Sequence, residues 1–458
     1  MITIKNKERL IKNGQTTLNQ NARALILESL ESALNAVHPT RLMRSKLSLK
    51  KSVLKANGHV FDLDKFNNVY VIGGGKASGS MAKLLEQILG RYITDGFVVV
   101  PQGGNQDTRI VEFCEASHPT PDRIAVEGAR HILKIVERAK RDDLIICLIS
   151  GGGSSLMTLP KDKITINDVR EATNAFLKSG ATIDEINTVR KHLSNFKGGW
   201  VAKKAYPATI LNLILSDVVG DPLDVISSGP TVPDTTTFGD AIRIVKKYDL
   251  WEKIPRSIRT VLLEGNKGDI PETPKTSDKA FRKVYNVIIG NSRSVCHAIC
   301  KPLKLAGLNT LLLTSTLEGE ARHVGVMLAS IAREVSTSGN PTSKPAGVVA
   351  CGETTVSVTG KGLGGRNQEI TLAAAAEIEG LDGVIVASLS TDGVDGPTDA
   401  AGAIADGRTR LRAAEIGLNP EDFLSDNDSY HFFSMVDDLI FTGSTGTNIT
   451  DISIMVIL

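Results

Sequence analysis

Glycine, serine, lysine, arginine and aspartate gather in a few short stretches of this 458-residue sequence. Each stretch follows an apolar run: residues 73–76, 151–155, 216–222, 360–366 and 391–399. Phosphoryl transfer needs cations and N–H donors around the phosphoryl oxygens, carboxylates for a magnesium ion and a carboxylate for the acceptor hydroxyl. The residue types of these stretches supply that set, although the same types are common in ordinary turns.

Two glycine-rich stretches are the candidate phosphate-binding loops. In VYVIGGGKASGSMA an apolar strand pattern ends in three glycines, and Lys76 precedes a helix pattern. In LISGGGSSL a buried-strand pattern runs into three glycines and two serines. Backbone N–H groups and a cation at such a turn are suited to an anionic group. The candidate phosphate- or nucleotide-binding residues, beside Lys76, are Gly73, Gly74, Gly75, Ser78, Gly151, Gly152, Gly153, Ser154 and Ser155.

The charged candidates follow other strand patterns. Asp217 and Asp392 each come just after an apolar run, where a metal ligand or a general base would stand. Arg366 lies at a predicted helix N-terminus, where the helix dipole disfavours a cation, so we expect it to face a phosphate or a carboxylate. Further residues of the substrate or metal environment are Glu353, Asn367, Asp221 and Asp395.

A dinucleotide-binding site is a rival interpretation, because residues 360–365, GKGLGG, match the GxGxxG fingerprint by letter. The match lies late in its domain rather than on a first strand, and Arg366 follows it at once. Other motifs are excluded. Ala77 stands where a P-loop needs Ser or Thr, and the protein-kinase motifs, GxSxG and HExxH are absent. The aspartates of residues 391–399 lack the glutamate of an EF-hand.

The elements that must position these residues alternate between strands and helices. The run 144–149 is continuously apolar, as in a strand buried on both faces of a sheet, and residues 122–138 have amphipathic helical spacing. This alternation predicts an α/β fold with largely parallel sheets. Ligands bind such sheets at the carboxyl ends of the strands, and all the unusual stretches are predicted there.

The length predicts more than one domain. The sequence analysis gives an N-terminal extension at 1–20, an α/β domain at 21–264, a polar linker at 265–283 and a second α/β domain at 284–458. The linker is chosen because the stretch is polar, contains two prolines and has no periodicity.

Composition excludes several classes of protein. The formal net charge is +2 and aromatic residues make up 4% of the chain, which argues against a nucleic-acid or membrane-surface protein. No stretch approaches the length of a membrane span, and residues 1–15 do not have the pattern of a signal peptide. The five cysteines include no CxxC pair, so neither a disulfide framework nor a structural zinc site is expected. We expect a reduced, soluble, cytoplasmic protein.

Five motifs in a set order carry a family resemblance: VIGGGKASGSMA, LISGGGSSL, LSDVVGDPLDVISSGPTVPD, CGETTVSVTGKGLGGRNQE and STDGVDGPTDAAGA. From about residue 21 to its end the chain resembles the glycerate 2-kinase family, whose C-terminal half is called the MOFRL domain. The resemblance implies ATP-dependent phosphorylation of D-glycerate at its 2-hydroxyl, with Mg²⁺. It also implies a Rossmann-like N-terminal domain, a MOFRL-type C-terminal domain and an active site in the cleft between them.

The residues that the family is regarded as using in catalysis match Lys76, Asp217, Arg366 and Asp392. Either aspartate could orient or deprotonate the 2-hydroxyl while the other helps to hold Mg²⁺. Some relatives were labelled hydroxypyruvate reductases, so an NAD(P)H-dependent reductase is the second hypothesis, and a non-catalytic sensor is the third. The sequence leaves the oligomeric state open, a homodimer included.

Overall fold

The computed structural model describes all residues, 1–458. The chain forms two compact units. One unit comprises Leu42–Ile289 and is called the nucleotide-fold unit, after the strand order of its sheet. The other comprises Met1–Arg41 together with Gly290–Leu458 and is called the mixed-sheet unit, because its sheet has parallel and antiparallel pairs. None of the helices combines the length and the apolar character that crossing a bilayer requires.

Strands and helices alternate along most of the chain. The strands are β1 (Leu47–Lys50), β2 (Val53–Ala56), β3 (His59–Asp62), β4 (Asn68–Gly74), β5 (Asp95–Pro101), β6 (Val111–Ala116), β7 (Asp143–Ile149), β8 (Thr209–Leu215), β9 (Val284–Gly290), β10 (Asn309–Leu317), β11 (Ala346–Gly352), β12 (Val384–Ser390), β13 (Gly402–Asp406), β14 (Leu439–Ile440) and β15 (Asp451–Ile457).

The helices are α1 (Lys7–Lys12), α2 (Thr17–Ala36), α3 (Pro39–Lys46), α4 (Ser78–Leu89), α5 (Arg123–Arg138), α6 (Gly153–Leu156), α7 (Ile166–Ser179), α8 (Ile183–His192), α9 (Trp200–Ala205), α10 (Phe238–Lys247), α11 (Arg256–Lys267), α12 (Ser292–Leu305), α13 (Ala321–Ser338), α14 (Arg366–Glu377), α15 (Thr409–Glu415), α16 (Pro420–Ser425) and α17 (Ser429–Met435). Short 3-10 helices lie at Leu63–Lys65, Gly90–Tyr92, Ile226–Ser228 and Lys279–Lys283.

The nucleotide-fold unit is built on a six-stranded sheet with the order β6-β5-β4-β7-β8-β9. The pairs β4–β5, β4–β7, β5–β6 and β7–β8 are parallel. Counted from β4, the order is 3-2-1-4-5-6, the classic order of doubly wound nucleotide-binding folds. The direction of winding reverses between β4 and β7, and ligands bind at such a switch point. The predicted Rossmann-like architecture is therefore confirmed.

The sequence explains this sheet. All seven residues of β7, DLIICLI, are buried, as a strand covered on both faces requires. The helix α5 packs its apolar face on the sheet, and Asp122 caps it by accepting a hydrogen bond from the N–H of Ala125 at 2.8 Å. A small antiparallel sheet, β1-β2-β3, completes this unit's strands.

The mixed-sheet unit has six strands in the order β10-β11-β15-β12-β13-β14. Only β10–β11 is parallel, whereas every other neighbouring pair is antiparallel. The expectation of largely parallel sheets thus fits the first unit and not this one. The reason is that β15, the last strand of the chain, inserts between β11 and β12 in the opposite direction. Its first residue, Asp451, consequently pairs with Gly352 and Ser390, the last residues of its neighbours.

The first 41 residues pack with the mixed-sheet unit, whereas the sequence analysis divided them between an extension and the N-terminal domain. An ion-pair network explains the placement. Arg23 of α2 is fully buried; its Nε lies 2.6 Å from Asp406 and its Nη1 lies 2.7 Å from Asp438. Arg412 contacts Asp438 from the other side at 2.6 Å. A buried guanidinium is tolerated only with such partners, so α2 must lie where the aspartates are.

The predicted linker, 265–283, is instead an ordered part of the nucleotide-fold unit. Thr273 is buried and donates to Asp234 at 2.9 Å, and Glu272 lies 2.8 Å from His192. The strand β9 then adds the sixth strand to the same sheet. The boundary between the units therefore falls at residues 289–290 rather than within the polar stretch. Its polar residues are used for local hydrogen bonds, which composition alone does not reveal.

Candidate functional site

The glycines that end β4 allow its backbone to approach β7. Gly73 and Gly75 have φ angles of +151° and +143°. A Cβ on Gly73 would lie 2.1 Å from the carbonyl oxygen of Leu148, and one on Gly75 would lie 2.2 Å from the hydroxyl oxygen of Ser150. No side chain fits at either position. Gly73 and Gly74 are residues of β4 itself, so their place is in the sheet.

The N–H groups that follow β4 are used inside the protein. Gly75 donates to Val99, Lys76 donates to Gly151 at 2.8 Å, and Ala77 donates to the hydroxyl of Ser150 at 3.0 Å. The loop after β4 is thus fastened to the loop after β7. Its N–H groups do not have the anion-binding geometry that the sequence analysis expected of Gly73–Gly75. What this loop presents is the Lys76 side chain.

Ser78 has a structural position. It is fully buried, and its hydroxyl lies 3.1 Å from that of Ser150 and 3.4 Å from the carbonyl oxygen of Leu148. It helps to join the two loops from behind and does not face solvent, so the geometry does not support its predicted phosphate contact.

The loop after β7 does offer N–H donors. Gly151, Gly152 and Ser154 donate no backbone hydrogen bond to a protein acceptor, whereas Gly153 and Ser155 donate to Ser150 and Gly152. Gly152 has φ +83°. A Cβ there would lie 3.6 Å from Cγ of Lys76 and 2.8 Å from the ring of His118. The Lys76 stem and three available N–H groups therefore share the switch point of the sheet, as an anion site requires.

Asp217 and Asp221 lie beyond the neighbouring strand. Asp217 follows β8, which pairs with β7, so it stands at the same edge of the sheet as the glycine loops. Asp221 has φ +58°, and its N–H donates to the carbonyl of Val218 at 3.1 Å in a turn. Both aspartates are half-buried. The structure therefore groups Asp217 with Lys76 at one sheet edge, as predicted from the strand pattern.

In the mixed-sheet unit, Arg366 opens α14 and is held by two carboxylates. Its Nε and Nη2 face Asp451, with Nη2 to Oδ1 at 3.3 Å, while Nη1 lies 2.6 Å from Oε1 of Glu353. Burial alone lowers the pKa of Arg366, but Asp451 and Glu353 outweigh it and leave the pKa raised. The guanidinium therefore stays charged, and its partners here are protein carboxylates.

Asp451 is the residue that the sequence analysis missed. Its side chain is 6% exposed, and burial raises its pKa to about 7 even though Arg366 acts in the opposite direction. The candidates predicted from the sequence follow the carboxyl ends of predicted parallel strands, whereas Asp451 begins an antiparallel strand. An isolated aspartate directly before the closing apolar run was the one available signal.

Asp395 and Asn367 are structural members of this site. The Asp395 carboxylate accepts from the N–H groups of Asn367 and Gln368 at 3.1 and 2.9 Å, and so caps α14. The Asn367 side chain donates to Asp395 at 3.0 Å and accepts from Ser388 at 2.7 Å. Both residues are buried. They position the first turn of α14, and hence Arg366, which is a different role from the ligand contacts expected of them.

Asp392 lies in the loop between β12 and β13. Its Oδ1 accepts from the Ser390 hydroxyl at 2.9 Å and from the N–H of Val394 at 3.0 Å. These bonds hold the carboxylate at the end of β12, close in sequence to the strand end where Ser390 pairs with Asp451. Asp392, Glu353 and Arg366 therefore belong to one edge of the second sheet.

The GxGxxG stretch does not form a dinucleotide site. The N–H groups of Gly360, Lys361 and Leu363 donate to side chains of residues 426–428 at 2.8–2.9 Å. The start of α14 is already capped by Asp395. A pyrophosphate would need those same donors, so the fingerprint is a match by letter only.

Two family descriptions match the chain: a domain of unknown function, DUF4147, at residues 25–263, and the MOFRL family at residues 346–451. A glycerate 2-kinase of Pyrococcus horikoshii is 42% identical over 436 residues, covering 95% of this chain and 97% of that protein. The chain belongs to the glycerate 2-kinase family. The family predicted from the sequence motifs is thereby confirmed.

One solved structure agrees with the chain in fold, and relatives of similar identity carry different names. The crystal structure of a Thermotoga maritima glycerate kinase matches with a TM-score of 0.84 and 39% identity, covering 95% of this chain and 99% of that one. A putative hydroxypyruvate reductase of Agrobacterium vitis is 41% identical over 389 residues, covering 84% of this chain and 86% of that protein. The DUF4147 region contains Lys76 and Asp217, and the MOFRL region contains Arg366 and Asp392.

The predicted magnesium site was tested against the side chains of this family member. No group of three or more His, Cys, Asp or Glu side chains is arranged to hold a metal ion. Mg²⁺ in kinases is commonly held by one or two carboxylates together with substrate phosphates and water, and such a site needs no protein cage. Asp217 and Asp392 have the oxygen donors that Mg²⁺ prefers, and their role as ligands stays a prediction.

Proposed function

We propose that this protein transfers the γ-phosphoryl group of ATP to the 2-hydroxyl of D-glycerate, with 2-phosphoglycerate and ADP as products. The observation that carries the proposal is the loop after β7. It presents three N–H groups without a protein acceptor, beside Lys76, at the switch point of a nucleotide-binding fold. Two relatives named as glycerate 2-kinases match this chain over nearly their whole length, and their names support D-glycerate as the acceptor.

In the proposed reaction the 2-hydroxyl oxygen of glycerate attacks the γ-phosphorus, and the bond to the β,γ-bridging oxygen breaks. Lys76 and the N–H groups of residues 151–155 stabilise the charge that develops on the phosphoryl oxygens. Either Asp217 or Asp392 accepts the hydroxyl proton. When bound, Mg²⁺ would neutralise phosphate charge, with the other aspartate among its ligands.

Arg366 is proposed to bind the glycerate carboxylate or the transferring phosphoryl group. Its two partners in the structure differ in burial: Asp451 is 6% exposed and Glu353 is 51% exposed. An exposed ion pair contributes about 0–1 kcal/mol, so an anionic substrate can replace Glu353 at Nη1 while Asp451 keeps the guanidinium in place. This exchange reconciles the carboxylate-paired arginine with an anion-binding role.

A coupled assay run in two directions tests the proposal. The kinase forms ADP from ATP only when D-glycerate is present, and NMR of the product shows phosphate on carbon 2. A reductase instead oxidises NAD(P)H with hydroxypyruvate and needs no ATP. A second readout uses Lys76→Met, which should lower kcat/KM by about 10²-fold or more. The matched control is Lys134→Met, which removes an exposed lysine on α5. Normal turnover by Lys76→Met would contradict the role given to Lys76.

Two further properties are proposed with the function: ATP and D-glycerate as the small-molecule partners, and a cytoplasmic location. Sedimentation of the purified full chain measures the oligomeric state, for which the sequence allows a homodimer.

A further inference from the structure

A cavity of about 300 Å³ lies within the nucleotide-fold unit, beside the loop after β7. Gly152, Ser154 and Ser155 form one side of it. Its volume is at the lower end of the range of about 300–1,000 Å³ that is typical of small-molecule sites. The proposed phosphate-binding loop is therefore one wall of this cavity.

The charged lining of this cavity is entirely cationic. Arg170, Arg190 and Lys197 line it, and no aspartate or glutamate does. Arg190 donates no side-chain hydrogen bond and forms no ion pair within the protein, and burial lowers its pKa. Lys197 is 4% exposed and donates to the carbonyl oxygens of Ser154 and Met157. An ammonium has three donors, so one remains for a ligand.

A buried lysine beside a partly buried arginine, with no carboxylate among the lining residues, is costly unless an anion joins them. Burial lowers the pKa of Lys197 to about 7, and the positive charge of Arg190 adds to this effect. An anionic group placed between them would relieve both the desolvation and the mutual repulsion. Phosphate oxygens suit the planar fork of an arginine and the point charge of a lysine.

The rest of the lining has a larger apolar than polar surface, and its polar part consists of hydroxyl, amide and imidazole side chains. The apolar part comes mainly from α7 and α8 and includes Val169, Phe176, Leu177, Ile186 and Val189. D-glycerate consists of a carboxylate and hydroxyl groups and would leave this apolar surface uncovered. The flat, weakly polar face of a nucleobase fits such a wall.

We infer that this cavity is the nucleotide subsite of the kinase. The base lies against the apolar wall of α7 and α8, Arg190 and Lys197 bind the inner phosphates, and the chain of phosphates runs past Gly152 toward Lys76. Lys76 then contacts the terminal phosphate of ATP. This inference rests on the proposed function, because it assumes that a nucleotide is a substrate.

Titration of the full chain with ADP tests the inference, using Arg190→Gln and Thr173→Trp. Arg190→Gln removes one unpaired cation. Thr173 is half-buried in the cavity wall, and tryptophan there fills the space. Each variant should weaken ADP binding about 10- to 100-fold, because Arg190→Gln removes one charge-assisted hydrogen bond and Thr173→Trp excludes the base from the cavity. Arg130→Gln, an exposed position on α5, is the matched control and should bind ADP like the wild type.

Kinetics separate this inference from the function itself. The expected pattern in Arg190→Gln is a raised KM for ATP with an unchanged KM for D-glycerate. Unchanged ADP affinity in both variants overturns the subsite while wild-type activity still supports the kinase. A rise confined to the KM for D-glycerate also overturns it, because the cavity then holds the acceptor. If the wild type neither binds ADP nor forms it from ATP and D-glycerate, the proposed function fails as well.

Discussion

Arg366 allows a test in which two neighbouring changes should have very different effects. We predict that Arg366→Met strongly lowers kcat/KM for D-glycerate and that Glu353→Gln has little effect or lowers the KM. The reason is the difference between the partners of the guanidinium. The Glu353 side chain is 51% exposed and Asp451 is 6% exposed. An incoming anion can therefore replace Glu353 at the guanidinium, whereas Asp451 keeps its contact with Arg366.

The structure sets the expected magnitudes. Removing a positioned donor that stabilises transition-state charge lowers the rate by about 10²–10³-fold. The Glu353 pair is half-exposed and contributes about 0–1 kcal/mol, so its removal should change the KM by at most about fivefold, in the direction of tighter binding. The steady-state assay measures ADP formation over a range of D-glycerate concentrations for both variants.

A stability effect must be separated from the catalytic one. Arg366→Met leaves Asp451 buried without its counter-charge, which is a destabilising change of about 3–5 kcal/mol when the aspartate is ionised. The pKa of Asp451 is raised to about 7 already with Arg366 present, so the carboxyl is increasingly neutral below that pH. The stability loss of Arg366→Met should therefore be smaller at pH 6 than at pH 8.

The double variant Arg366→Met/Asp451→Asn decides between the two explanations. It removes the isolated charge as well as the arginine. If Arg366 acts on the substrate, the double variant regains stability in urea unfolding and stays as slow as the single variant. Recovery of wild-type kcat/KM by the double variant would refute the anion-binding role of Arg366.

The remaining predictions concern stability and nucleotide binding. Arg23→Met should lower the free energy of unfolding by about 3–5 kcal/mol, because it leaves the buried Asp406 without a cation and Asp438 with Arg412 alone. Arg9→Met breaks only an exposed pair and should cost at most about 1 kcal/mol; equal losses in urea unfolding would contradict this. ADP affinity should fall as the pH rises from 7 to 9, because the pKa of Lys197 is lowered to about 7 and its ammonium loses the proton in this range. Calorimetry should show that the ADP affinity of Lys197→Met does not change with pH in this way. Gly75→Ala should destabilise the chain by roughly 1–3 kcal/mol more than Gly58→Ala. Both positions have positive φ, but only Gly75 has backbone and hydroxyl atoms within 3 Å of an added Cβ. A smaller difference between the two free energies of unfolding would contradict the close approach of β4 and β7.

Local patterns carried much of the prediction. The apolar run of β7 and the glycines after it identified a buried strand and its loop, because burial on both faces and positive φ are properties of a few neighbouring residues. The same reasoning placed Asp217 and Asp392 directly after strands. It failed for the polar stretch before β9, where Glu272 and Thr273 bond to residues far away in sequence. Composition does not show whether a polar residue has a partner.

The sequence by itself determined the elements, the loops at strand ends and the family, since each depends on residues close together in the chain. Only the tertiary structure decided that Arg366 faces Asp451, that Asp395 caps α14 rather than binding a ligand, and that Arg190 and Lys197 line one cavity without an acid. The physical reason is that charge pairing and burial depend on which distant residues come together. Asp451 shows this most clearly, because the antiparallel strand β15 places its first residue beside the last residues of β11 and β12.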